Sequence, residues 1–138
     1  MKVGKFTKRI ALAACAAGLF ASAPAGGQKQ SLAMLDQLDA GRWELRVRND
    51  GTEVQRLCVN NGRRFIQLRH PDAACERFVV EDGPSAVTVQ YTCRGKGYGR
   101  TAIRRETSRL VQIQSQGIVG GLPFEFSAEA RRVGTCGA

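Results

Sequence analysis

The stretch GRWELRVRNDGTEVQRLCV, Gly41 to Val59, decides the fold. From Gly41 onward apolar residues recur at every second position: Trp43, Leu45 and Val47 point one way, and Arg42, Glu44, Arg46 and Arg48 point the other. Successive side chains leave a strand on opposite sides, so this alternation marks a strand with one buried and one wet face. Asn49, Asp50 and Gly51 tolerate the left-handed backbone that a tight hairpin needs. TEVQRLCV, 52–59, is then the returning strand, and the pattern breaks at NNGRR.

The same two-residue period returns downstream. CERFVVE, the turn DGPS and AVTVQYTCR form a second hairpin, with Val87, Val89, Tyr91 and Cys93 on one face. GKG leads into YGRTAIRRE, TSRLVQIQSQ follows after a short turn, and the apolar link GIVGGLP precedes the last strand, FEFSAEARRVG. On that strand Phe124, Phe126, Ala128, Ala130 and Arg132 share a face. Residues 60–74 are the least regular, with RFIQLR suggesting one helical turn before HPD. Ahead of the first strand, Leu32, Leu35 and Leu38 line one side of a short amphipathic helix that Ser31 would cap and Gly41 would stop. The expected fold is mainly β: an antiparallel meander of about seven strands. It forms a curved sheet or partial barrel with a short N-terminal helix and two disulfides.

Residues 1–25 have a different character. Lys2, Lys5, Lys8 and Arg9 precede the apolar run IALAACAAGLFA and the small residues SAPAGG, the layout of a secretory signal peptide. The run is well short of the ~20 residues that a membrane-spanning helix requires. Ala23 and Ala25 place cleavage before Gly26. LAAC, Leu12 to Cys15, is a weaker lipoprotein-type alternative. Residues 26–30 read as a flexible tether and 31–138 as a single domain. Dropping four cations and no acids lowers the formal net charge from +9 to +5. The expected location is the periplasm or the extracellular space, which makes nucleic acid an improbable partner, and the mature chain has no candidate transmembrane segment.

Cys58, Cys75, Cys93 and Cys136 survive cleavage, and an even count in a short exported chain reads as two disulfides worth ~2–4 kcal/mol each. With no C-x-x-C and a single histidine, a zinc site of the usual kind is not expected. No other cofactor is indicated. Face parity suggests Cys93 with Cys136, and Cys58 with Cys75 would staple the irregular segment that they bracket, one of three possible pairings.

The ordered set Gly41, Trp43, Glu44, the cysteine closing the second strand, the one opening the third, the one in YTC, and the ending Ala130, Arg132, Gly134, Cys136 resembles a family of small exported bacterial proteins. That family is classed as a domain of unknown function. The resemblance covers essentially the whole mature chain and implies compartment and domain extent, with no activity. A looser likeness is to lipocalin-type barrels, in which G-x-W opens the first strand and a late arginine packs on the indole; it implies that Trp43 and Arg132 form a structural pair. An inward arginine needs a partner, and a cation–π contact with the indole would contribute ~0.5–2 kcal/mol.

Candidate site residues are few. His70 is the single group suited to proton transfer near neutral pH, but its one neighbouring acid is Asp72, and it reads as an exposed turn histidine. GKGYGR matches no phosphate loop and reads as a hairpin. Arg63/Arg64 and Arg104/Arg105 are candidates for weak contact with anionic lipid, although strand neighbours such as Arg104 and Arg105 face opposite ways. Ile118, Val119 and Leu122, with Tyr91, are candidate ligand or lid contacts; the alternative is that the apolar link folds inward as a core plug, since exposed apolar patches are costly. The expected function is a non-enzymatic binding or envelope-associated module that holds a small apolar or amphipathic ligand, or an envelope protein, in the concave face. The alternative is a hydrolase or transferase acting on envelope polymers, for which Glu125 and Glu129 share the outer face rather than a pocket.

Overall fold

The computed structural model describes residues 30–48 and 52–137. The signal segment, the Leu12–Cys15 motif, residues 26–29 and the Asn49–Gly51 turn lie outside the described residues. Seven strands form one antiparallel sheet: β1 (Gly41–Arg48), β2 (Thr52–Val59), β3 (Cys75–Asp82), β4 (Ala86–Cys93), β5 (Gly97–Thr107), β6 (Leu110–Val119) and β7 (Leu122–Gly134). Their order is β2-β1-β7-β6-β5-β4-β3. The chain therefore runs around the curved sheet in sequence order, β7 pairs back onto β1, and the circle stays open between β2 and β3.

The alternating stripes meet in register on the inner face. Val87, Ile103, Ile113, Ala128 and Val47 are successive cross-strand neighbours, as are Val111, Ala130 and Leu45. Each is at most 4% exposed, so these rows form the dry layer of the core. On the next row Thr101 and Ser115 also point inward, which is costly unless they are hydrogen-bonded. They bond each other at 2.8 Å, and the Thr101 hydroxyl is 2.6 Å from the Ile66 carbonyl oxygen that accepts from it.

That carbonyl belongs to the irregular segment. A single 3-10 turn, η1 (Gly62–Phe65), is capped by the Asn61 side chain, which accepts from the Arg63 N–H at 2.9 Å. It delivers Phe65 and Ile66 into the core with no exposed surface. The Phe65 ring meets the Trp43 indole edge-on, centroids 5.2 Å apart. Gly62 is required by the approach of the N-terminal segment: a Cβ there would lie 2.7 Å from the Leu35 carbonyl oxygen.

The expected amphipathic helix shrinks to one turn, α1 (Ala33–Asp36). Ser31 does not cap it; Leu32 occupies that position with φ 54° and donates its N–H to Asp82 Oδ2. The leucines are buried as expected. The chain leaves the helix because residues 37–40 find other partners: the Asp39 N–H bonds the Ser108 carbonyl and its own carbonyl accepts from the Trp43 indole at 3.0 Å.

The disulfides are Cys58–Cys136 and Cys75–Cys93, which corrects the pairing suggested by face parity. Register, not parity, decides it. Cys75 and Cys93 are directly opposite in the β3–β4 ladder. Arg42 of β1 has Cys58 on one side and Gly134 on the other, so the chain leaving β7 passes the end of β2.

The apolar link is also corrected. β6 and β7 continue to Val119 and Leu122, and Gly120 and Gly121, with φ 57° and 80°, make a two-residue hairpin turn. Leu122 is 70% exposed and Ile118 and Val119 are half-buried, so Leu122 at least does not fold inward as a core plug. Arg132 is opposite Trp43 in the ladder, but its Nε donates to the Ala40 carbonyl at 2.8 Å over Gly41, while Phe65 takes the indole contact. A guanidinium does sit over a ring elsewhere: Arg69 on Phe126, 5.1 Å from its centroid.

Candidate functional site

The concave face is filled by the chain's own side chains, Leu35, Trp43, Phe65 and Ile66, none with exposed surface. The place expected for a ligand is thus taken by the segment that enters after β2. His70 lies in the same filling, not on the surface. It is 3% exposed; Nε2 is 3.2 Å from the Lys96 carbonyl and Nδ1 is 3.1 Å from the Tyr91 hydroxyl. A carbonyl can only accept, so Nε2 carries the proton and Nδ1 accepts from the tyrosine. The imidazole packs edge-on against Tyr91, with Phe124 6.1 Å away.

Glycines make this seat. Tyr91, Gly99, Gly117 and Phe124 are successive neighbours across four strands, and a Cβ on Gly99 would come within 2.5 Å of the Tyr91 ring. Burial pushes the Tyr91 phenol up to about 12. With the imidazole and the phenol buried and hydrogen-bonded to each other and with Asp72 exposed, the pair is a structural clasp.

The outer face carries two merging depressions, of about 620 and 380 Å³, that share Arg100, Gln116 and Glu125. Glu125 is the single carboxylate lining either. Glu129 is engaged elsewhere, accepting from Gln112 and Arg131, and those hydrogen bonds hold its carboxyl below the usual range. A paired acid and base is therefore not assembled there. Arg104 bridges Glu106 at 3.1 Å while Arg105 reaches the Pro84 carbonyl, so the two do not form one patch. Among the described residues no group of three His, Cys, Asp or Glu side chains converges on a metal position.

A different place concentrates charge: the seam between β2 and β3. A depression of about 430 Å³ is bounded by Gln55, Arg56 and Leu57 of β2, floored by Leu68 and Pro71, and closed by Arg77 of β3. Arg63 and Arg64 complete the rim, against one acid, Asp72. Two of these arginines are already used. Arg56 lies 3.4 Å from Glu44, and Arg63 grips both oxygens of Asp36 and the Ser31 carbonyl. That grip, with the Asn61 amide, holds the Asp36 carboxyl below its usual value.

Arg64 and Arg77 have no carboxylate partner among the described residues. Arg77 donates to Gln67 at 2.9 Å, and partial desolvation, then the charge of Arg63, pulls its guanidinium below the ordinary arginine range. It stays a cation, but one in a site where another cation is unwelcome and an anion would be stabilised. Arg64 is visible in the sequence as half of a pair; the signal for Arg77 is its inward parity on CERFVVE, which marks an arginine in need of a partner.

The disulfides point to an oxidising environment. Among the described residues no helix is long and apolar enough to cross a membrane. No protein family, curated protein or solved structure matches the chain.

Proposed function

We propose that the protein is a non-enzymatic binding module of the cell envelope, exported and cleaved before Gly26, whose site is the β2–β3 seam and whose partner is anionic and amphipathic. Membership of the small exported family suggested by Gly41, Trp43 and the cysteine order is part of the same proposal. The observation that carries it is the seam itself: Arg64 and Arg77, with no carboxylate partner, stand beside the apolar surface of Leu57, Leu68 and Pro71. A guanidinium fork suits a carboxylate or phosphate, and a short apolar floor suits the part of the partner next to its charge.

Titration with octyl phosphate, followed by backbone amide shifts, tests the site. The perturbed amides should be those of 55–57, 64–72 and 77, added salt should weaken binding, and Arg64→Ala with Arg77→Ala should abolish it. Equal binding of uncharged octanol, or shifts confined to the outer face, would sink the proposal. Intact mass of the exported chain tests the compartment: a chain that begins at Cys15 with a lipid mass would overturn cleavage before Gly26.

A further inference from the structure

We infer that the occupant of the seam is an extended acidic segment of a partner polypeptide, which pairs as an eighth strand on the free edge of β2. This rests on the seam being the binding site, and it adds a reason why the partner is a peptide backbone.

β2 and β3 are the two edges of the sheet. On β2 every second residue turns its N–H and C=O away from β1. Among the described residues no hydrogen bond from outside the β1 ladder reaches the backbone of 53–57. Bare edges are normally blunted. β3 is blunted, because its pairing with β4 slips between Val79 and Glu81 and a bulge bends it. β2 is not: it pairs with β1 over its whole length, from Gly41↔Val59 to Arg48↔Thr52, without a shift.

Charge and alternation specify the occupant. In an added strand, alternate side chains fall on opposite faces, and the inner set meets Arg77 and Leu57, which share that face by their register with Tyr91 and Trp43. A segment in which acidic and apolar residues alternate puts all its acids on one face, within the depression that Arg64 and Arg77 line. The chain's own tether, GGQKQ at 26–30, carries Lys29 and no acid. A second copy paired edge to edge would bring two sets of the same arginines together. Addition of a strand to an exposed edge draws affinity from main-chain hydrogen bonds and specificity from alternate side chains.

The test uses the full disulfide-bonded protein and four probes: a terminally blocked hexapeptide alternating glutamate and valine, the same peptide N-methylated at alternate amides, a lysine–valine counterpart, and octyl phosphate. Calorimetry should show the acidic peptide binding and the lysine peptide failing. Hydrogen exchange of the β2 edge amides should slow in the complex, and methylation should weaken binding by about tenfold through lost backbone bonds. Arg64→Ala, an exposed substitution that leaves the fold intact, should weaken the acidic peptide and reduce its salt dependence.

Equal binding of the methylated peptide, or unchanged β2 exchange, would overturn strand addition while leaving the seam as an anion site. If octyl phosphate and both acidic peptides fail to bind, the seam is not the site and both proposals fall. Concentration-dependent dimerisation protecting β2 would replace the partner with a second copy and overturn the inference.

Discussion

Replacing His70 by Phe tests whether the buried clasp holds the irregular segment in the sheet. Phenylalanine keeps a ring against Tyr91 and Phe124 but removes both nitrogens. The Tyr91 hydroxyl, on a residue 1% exposed, then loses its only hydrogen-bond partner among the described residues. An unsatisfied buried donor costs about 1–3 kcal/mol, and the lost bond to Lys96 adds roughly 0.5–1.5 kcal/mol. Tyr91→Phe strands the other side, leaving Nδ1 without a donor at a similar cost of about 1–3 kcal/mol.

In the double variant both halves of the contact are apolar, so its cost should fall below the sum by about 1 kcal/mol or more, the coupling expected of residues in direct contact. Trp43 is the single tryptophan and is fully buried against Phe65, so urea unfolding followed by its fluorescence reads the same core. In thermal melts each kcal/mol should appear as about 4–8 °C for a domain near this size. Additive single costs, or a His70→Phe variant as stable as the parent, would refute the clasp and restore an exposed turn histidine.

The remaining predictions use the same unfolding assays. Because the Tyr91 phenol is raised to about 12, its contribution is fully present below the ordinary value of 10.0 and is lost as pH rises from about 10 through about 12; Tyr91→Phe should flatten that part of the stability profile. Non-reducing peptide mapping should recover Cys58–Cys136 and Cys75–Cys93. Removing the first should cost more, about 4.5 against about 3 kcal/mol on the chain-entropy model, because it closes a loop with separation 78 rather than 18. Leu122→Ala should change stability by no more than about 0.5 kcal/mol, whereas Phe65→Ala should cost about 3–5 kcal/mol; a destabilised Leu122→Ala would bring back the core plug.

What was legible in the sequence was whatever depends on one strand at a time. The two-residue period places Trp43, Leu45, Val47, Val87, Val89 and Tyr91 inside, and the structure buries all six. What was not legible depends on two or more elements meeting. Parity says which face a cysteine is on, not which residue is opposite. The signal for Cys75–Cys93 was nevertheless present, since both lie nine residues from Pro84 in the connecting turn. His70 looks exposed in HPD because its neighbours, Tyr91 of β4, Lys96 and Gly97 at the start of β5, and Phe124 of β7, are remote from it in sequence. The spacing of Leu32, Leu35 and Leu38 correctly marks burial but not helix, because a single turn with a competing bond from Asp39 to Ser108 has no length over which to propagate.

The seam follows from the same meeting of elements. The segment that fills the concave face connects β2 to β3, so the chain must enter the interior through the gap that closure would seal. Each lip of that gap is then fixed to its own side: Cys58 at the end of β2 is tied across β1 to Cys136, and Cys75 at the start of β3 is tied to Cys93 on β4. The bridges therefore do not draw the lips together; each fixes its own lip to a neighbouring part of the sheet. Arg64 of η1 and Arg77 of β3 are like charges lining one depression, which opposes its collapse in the absence of an anion. Reduction should loosen both lips while Phe65 and Ile66 keep the core, so exchange at 53–57 and 76–79 should rise before Trp43 becomes exposed. Simultaneous loss of edge and core would mean that the seam is not held independently of the fold.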